Sequence, residues 1–306
     1  MSSQTRGGAS PTKERAAIPP SLIPTGPGWN PGGWGPAPGA VLHVVLIRHG
    51  ETLPNLERII QGQSDGEITE RGRQQAQLLG KRLMREKYEA VYCSDLKRVR
   101  QTVEEIKRVQ PPEHKFDLNF KAELRERNAG EFEGHPYGSI DAAARAAGES
   151  PRSFTPRWGE SWEDVRARAE NFLQGLVEEH LPPPNPTMVG IASKSDKKRQ
   201  GDQKSVLVVT HGGFVKEWID TVSHYGGGCL ASDPITQLTS QKSNGPRWPS
   251  LGQTGKGGGM HYPNRAKNTG VFRFNVTWKS GRLSVSMVQE NDISHLRGLG
   301  DHAFDE

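Results

Sequence analysis

The chain's 306 residues allow one large α/β domain or two small ones, but only 33% are hydrophobic and Gly 36 and Pro 22 are high, so part of the chain contributes nothing to a core. Two cysteines, Cys93 and Cys229, neither in a pair with metal-ligand spacing, exclude a disulfide framework and make the reducing cytosol the expected setting. The net charge of +5 is local, since eleven Lys/Arg stand against five Asp/Glu between Pro182 and Lys267; no nucleic-acid binding is expected of the core.

Residues 1–40 hold eight Pro and eight Gly without apolar periodicity and read as a disordered tail, in which Trp29 and Trp34 are the side chains suited to docking. No basic stretch followed by an apolar run marks a signal peptide, and no run is long enough to span a bilayer, so no membrane is expected. The domain is expected over residues 41–291. A first apolar strand, Val44-Val45-Leu46-Ile47, ends in Arg48-His49-Gly50-Glu51-Thr52. After a polar loop, Thr69 caps a helix predicted to about Lys87, with Ala76, Leu79 and Leu83 on one face. The strand Ala90–Ser94 follows, then a helix from Asp95 to about Val109 that carries Arg98 in its first turn.

Residues 110–160 are less regular, with a strand-like Phe116–Phe120, the charged cluster Glu123-Leu124-Arg125-Glu126-Arg127 and a short helix from about Ile140 to Ala147. Ser161, with Asp164 three residues on, caps a strong helix that ends before Pro182-Pro183-Pro184. A Pro-rich, then basic, insertion is expected near 182–204. Its Lys197-Lys198-Arg199 would make a weak nuclear-import signal, so nuclear entry stays open beside the cytosolic reading, but Asp196 and Asp202 interrupt the run and favour a solvated loop. The strand Ser205–Thr210 ends in His211-Gly212-Gly213 before a helix from about Phe214 to Val222. A second insertion is expected near 232–267, then a hairpin of Val271–Trp278 and Leu283–Val288, and a C-terminal tail over 292–306. The βαβα order and the nearly continuous apolar strands imply a mostly parallel sheet buried on both faces.

In such sheets ligands sit beyond the carboxyl ends of the strands, so two strand ends carrying His-Gly converge on one crevice if the strands are neighbours. That chemistry suits phosphoryl capture. A neutral imidazole attacks phosphorus, and a guanidinium holds two non-bridging oxygens. His49 is the candidate nucleophile. Arg48, Arg98 and His211 supply positive charge, and the backbone N–H groups of Gly212 and Gly213 add donors where a helix begins. Glu126 is the candidate acid, although spacing alone favours a surface ion pair with Arg125 or Arg127. With no GxxxxGK(S/T) loop, no HExxH and no acidic cluster for two magnesium ions, neither metal nor cofactor is expected. His43 lies in a strand, His114, His135, His180, His224 and His261 in loops or at helix ends, and His295 and His302 in the tail; each reads as structural or solvated.

The motifs RHGETLPN at 48–55, QG at 61–62, ITERGRQQAQLLGKRL at 68–83, YCSDLKRVRQT at 92–102, LRERNAGEFEG at 124–134, GES at 159–161 and VVTHGG at 208–213 together resemble the histidine phosphatase superfamily, the phosphoglycerate-mutase-like proteins. The resemblance covers about residues 41–291, with two insertions. It implies a three-layer αβα sandwich, phosphorylation of His49, phosphoryl binding by Arg48, Arg98 and His211, and proton donation by Glu126. It also implies that Asn55 and the Gln61-Gly62 turn line the phosphate site. RIIQGQ at 58–63, FTP at 154–156 and NTG at 268–270 resemble the fructose-2,6-bisphosphatase-like branch of glycolysis and apoptosis regulators.

Two departures matter. Gly138 to Ser150 is Ala-rich where true mutases carry an Arg-Arg insertion, which favours hydrolysis, and Asn128-Ala129 replace a Tyr, which weighs against sugar-bisphosphate specificity. The expected activity is metal-independent hydrolysis of a small phosphorylated metabolite, a sugar phosphate or bisphosphate. A phosphoglycerate mutase, a phosphoprotein phosphatase and a non-catalytic phosphate-binding scaffold are the alternatives.

Overall fold

The computed structural model describes residues 40–114, 117–181, 203–225, 266–279 and 282–300. The expected N-terminal tail and nearly all of both insertions lie outside them. Six strands form one sheet: β1 (Val41–Arg48), β2 (Ala90–Ser94), β3 (Leu118–Lys121), β4 (Gln203–Thr210), β5 (Val271–Lys279) and β6 (Arg282–Asp292), in the order β3-β2-β4-β1-β5-β6. β1, β2, β3 and β4 pair in parallel, while β5 and β6 add an antiparallel hairpin at one edge.

Strand alternation divides the interior in two. Leu42, Val44 and Leu46 of β1 face a core built with Val165, Phe172 and Leu176 of helix α5 (Trp162–His180) and Phe214 and Trp218 of helix α6 (Gly212–Tyr225). Val45 and Ile47 face the other way, onto Ala76, Leu79 and Leu83 of helix α2 (Glu70–Leu83) and Val99, Val103 and Ile106 of helix α3 (Lys97–Arg108). Both faces of the sheet are thus covered, which is why β1 carries the unbroken apolar run Val44–Ile47. Two short helices also occur among the described residues, α1 (Leu53–Leu56) after β1 and α4 (Ser139–Ala146) before α5. No helix among the described residues is long and apolar enough to cross a membrane.

Several boundaries differ from the sequence reading; β6 runs to Asp292 rather than Val288, and α6 spans Gly212–Tyr225 rather than about Phe214–Val222. α2 stops at Leu83 rather than near Lys87, because Glu86 is drawn into a bidentate pair with Arg273 of β5. β3 begins at Leu118, Phe116 lying outside the described residues. At the C-terminal side, the expected domain limit at 291 falls inside β6. Beyond it, a 3-10 turn spans Ser294–Leu296, and Arg71 of α2 donates to the carbonyls of Leu299 and Gly300.

Candidate active site

β1 and β4 are direct neighbours, and their parallel register ends on the pair Arg48 and Thr210. His49 and His211 are therefore the first residues beyond two adjacent strands. Their rings lie 5.2 Å apart, tilted by 58°, and the His49 amide donates to the Thr210 carbonyl at 3.0 Å. β2 on the far side of β4 brings α3, whose first turn carries Arg98 into the same crevice.

The two histidines look alike in sequence, but their hydrogen bonds differ. His49 Nδ1 is 2.7 Å from the Gly50 carbonyl, an atom that can only accept, so Nδ1 carries the proton. Nε2 then holds a lone pair. In His211 both nitrogens are engaged: Nδ1 accepts from Arg98 Nε at 3.2 Å, which leaves Nε2 to donate to Ser94 Oγ at 2.7 Å. Burial, then the guanidinium of Arg98, hold both imidazoles well below the usual histidine range. Both rings are neutral at neutral pH, and of the two only His49 presents an unprotonated nitrogen with no donor among the described residues.

Arg98 is buried, and burial pulls its guanidinium down to about 10 against the raising influence of Glu126, so it remains charged. Its Nη1 and Nη2 donate to the carbonyls of Ser64 (3.0 Å) and Gly62 (2.7 Å). Gly62 sits at φ 53, and any Cβ there would run into the Glu133 carboxylate, so glycine is required for this turn. Gln61, next to it, has its side-chain Oε1 buried without a partner among the described residues. Arg48 Nη1 donates to the Ala266 carbonyl at 2.6 Å, and its guanidinium passes beside Gly212, where an added Cβ would stand 3.6 Å from Nε.

Glu126 is not in the surface ion pair that spacing favoured. Its carboxylate accepts from the backbone amides of Gly213 at 2.9 Å and Arg127 at 2.8 Å, at the start of α6. A side chain at Gly213 would collide with it. Arg125 instead forms a bidentate pair with Asp95 at 2.7 and 2.6 Å, and Arg127 stacks over Trp162. Asn55, in α1, accepts from the Thr52 amide (3.2 Å) and from Asn268 Nδ2 (3.2 Å) through its Oδ1.

The structure therefore brings His49, Arg48, Arg98, His211, Glu126, Gly212 and Asn55 to one strand-end crevice, and it gives the Gln61-Gly62 turn the task of seating Arg98. Three supporting residues escaped the sequence reading as individuals. Ser94 accepts from His211 Nε2 at 2.7 Å, Thr102 accepts from the Gly50 amide at 3.0 Å, and Asn268 donates to the His49 carbonyl at 3.1 Å. All lay within quoted motifs, but nothing in their spacing revealed what they touch.

A mostly parallel sheet with helices on both faces, carrying paired histidines and arginines at neighbouring strand ends, defines a class of phosphoryl-handling α/β proteins. The chain belongs to the histidine phosphatase superfamily: the model of branch 1 matches residues 44–183. Relatives over most of their length support this. The chain is 33% identical over 202 residues to the fructose-2,6-bisphosphatase TIGAR of Bos taurus, spanning 58% of this chain and 75% of the bovine protein. It is 30% identical over 190 residues to a broad-specificity phosphatase of Saccharomyces cerevisiae, spanning 60% and 73%. Among solved structures, Bacillus stearothermophilus YhfR superposes with a TM-score of 0.55 at 26% identity, covering 83% of this chain and 99% of that one.

Proposed function

We propose that this protein is a metal-independent phosphatase that hydrolyses a small phosphorylated metabolite, a sugar phosphate or bisphosphate, through a phosphohistidine at His49. The observation that carries the reading is the unprotonated Nε2 of a buried, neutral His49 beside two arginines. In the first half-reaction Nε2 forms a bond to phosphorus as the bond to the ester oxygen breaks, and the Glu126 carboxyl gives its proton to the departing alkoxide. In the second, a water oxygen forms a bond to phosphorus as the Nε2–P bond breaks, inorganic phosphate leaves, and the water's proton returns to Glu126. Arg48 and Arg98 offset the charge on the equatorial oxygens, with Asn55 beside them, and the His211 ring lies against His49 throughout.

The bovine and yeast relatives bracket the substrate between one sugar bisphosphate and a broad range of esters. On the two-cysteine composition we assign the enzyme to the reducing cytosol. Rapid quench with labelled substrate should trap an acid-labile phosphoenzyme in the wild type and none in His49→Ala. Turnover persisting in His49→Ala without that species would overturn the mechanism. A panel containing fructose-2,6-bisphosphate, phosphoglycolate and 2,3-bisphosphoglycerate should release phosphate; isomer formation on phosphoglycerates in place of release would identify a mutase.

A further inference from the structure

The backbone of His49 is held from behind by a turn far along the chain. The Thr269 amide donates to the carbonyls of Arg48 (3.0 Å) and His49 (3.3 Å), and Asn268 Nδ2 donates to the latter at 3.1 Å. Thr269 is fully buried at φ 55, a left-handed conformation that costs a β-branched residue more than most. Its surroundings must therefore hold it there. Thr269 Oγ1 donates its single proton to the Asn268 carbonyl at 2.7 Å, so it accepts from His295 Nε2, 3.0 Å away. The other ring nitrogen of His295, Nδ1, is left to accept from Arg82 Nη1 at 3.4 Å, and Arg82 is itself anchored on Asp292 at 2.7 Å. The donor and acceptor pattern is consistent from α2 through the ring to the turn.

We propose that His295 is a positioning residue for phosphoryl transfer: by holding Thr269 in its left-handed turn, it fixes the carbonyls of Arg48 and His49 and thereby the line along which the imidazole meets phosphorus. The inference rests on the assignment of His49 as nucleophile. His295 touches no reacting atom, and it lies more than a hundred residues beyond the stretch matched by the family model. The segment after β6, expected as tail, is on this reading part of the catalytic apparatus.

His295→Ala removes both hydrogen bonds, whereas His295→Gln keeps one donor and one acceptor. With both variants folded, His295→Ala should lower kcat on the order of tenfold with KM changed by less than about twofold, and His295→Gln should recover most of the loss. Thr269→Gly adopts the left-handed turn without strain, so adding His295→Ala to it should cost less than about twofold more. Amide exchange at Thr269 reads the same link without turnover: it should quicken about tenfold in His295→Ala and not in His295→Gln. Wild-type kcat in His295→Ala, or a glutamine variant as impaired as the alanine one, would overturn the proposal. An inactive wild-type protein would instead overturn the phosphatase reading, and the exchange measurement would still decide the role of His295.

Discussion

At Glu126 the carboxylate is hydrogen-bonded by two backbone amides, those of Gly213 and Arg127. In the mechanism proposed for this site, the carboxyl held at the start of α6 protonates the departing ester oxygen. Its contribution should therefore depend on how much that oxygen needs a proton. In Glu126→Gln the phosphorylation step is expected to slow by roughly 100-fold or more for an alkyl phosphate and far less for p-nitrophenyl phosphate, whose leaving group is already stable as an anion. Equal slowing of the two in rapid-quench assays would argue against proton donation. The residue types of this site were legible in the sequence, because arginine and histidine at strand ends have few other joint uses. Their asymmetry was not. Which imidazole keeps an unprotonated Nε2 is set by the Gly50 carbonyl and by Arg98, and Arg98 and His211 are 113 residues apart.

At the scale of elements, legibility followed how local the cause was. β1 and β4 were readable because the central part of a strand covered on both faces, Val44–Ile47 and Val206–Val209 here, is apolar on both sides, and α5 because its start is written in four residues: Ser161 Oγ accepts from the Asp164 amide at 3.1 Å while the Asp164 carboxylate accepts from the Ser161 amide at 2.8 Å. Ser161→Ala should accordingly cost about 1 kcal/mol, read as a lowered urea midpoint with an unchanged slope. A variant as stable as the wild type would show that packing alone fixes the start of α5. The stretch from Glu123 to Ser161 resisted reading because distant partners shape it. Glu133 accepts from the Gln63 amide, Glu160 from Gln63 Nε2 and the Asn128 amide, and Arg168 of α5 reaches the carbonyls of Glu123 and Arg125. Such a loop has no period of its own; its conformation is a property of the assembled fold.

For the molecule as a whole, the same burial that readies the site makes stability sensitive to acid. His49 and His211 are held well below the usual histidine range by desolvation and by Arg98, and burial with Arg82 alongside pushes His295 down to about 4. In the unfolded chain all three would titrate near 6.5. Above that pH neither state binds a proton at these rings, and their contribution to stability is fully present. Below it the unfolded chain takes up protons that the folded one refuses, so stability falls as pH falls, and for His295 the loss levels off only once pH passes about 4. The two site histidines alone set a limiting slope of roughly 3 kcal/mol per pH unit. Carboxylates held low by their partners, Asp95 through Arg125 and Asp164 through the Ser161 hydroxyl, add losses in the same direction in more acidic solution. Urea midpoints should thus be nearly level from pH 8 to 7 and decline steeply from 6.5 to 5, and His295→Gln should decline less steeply than the wild type. Midpoints that hold level down to pH 5 would mean that the folded protein takes up protons at these rings as readily as the unfolded chain, which would contradict their lowered proton affinity.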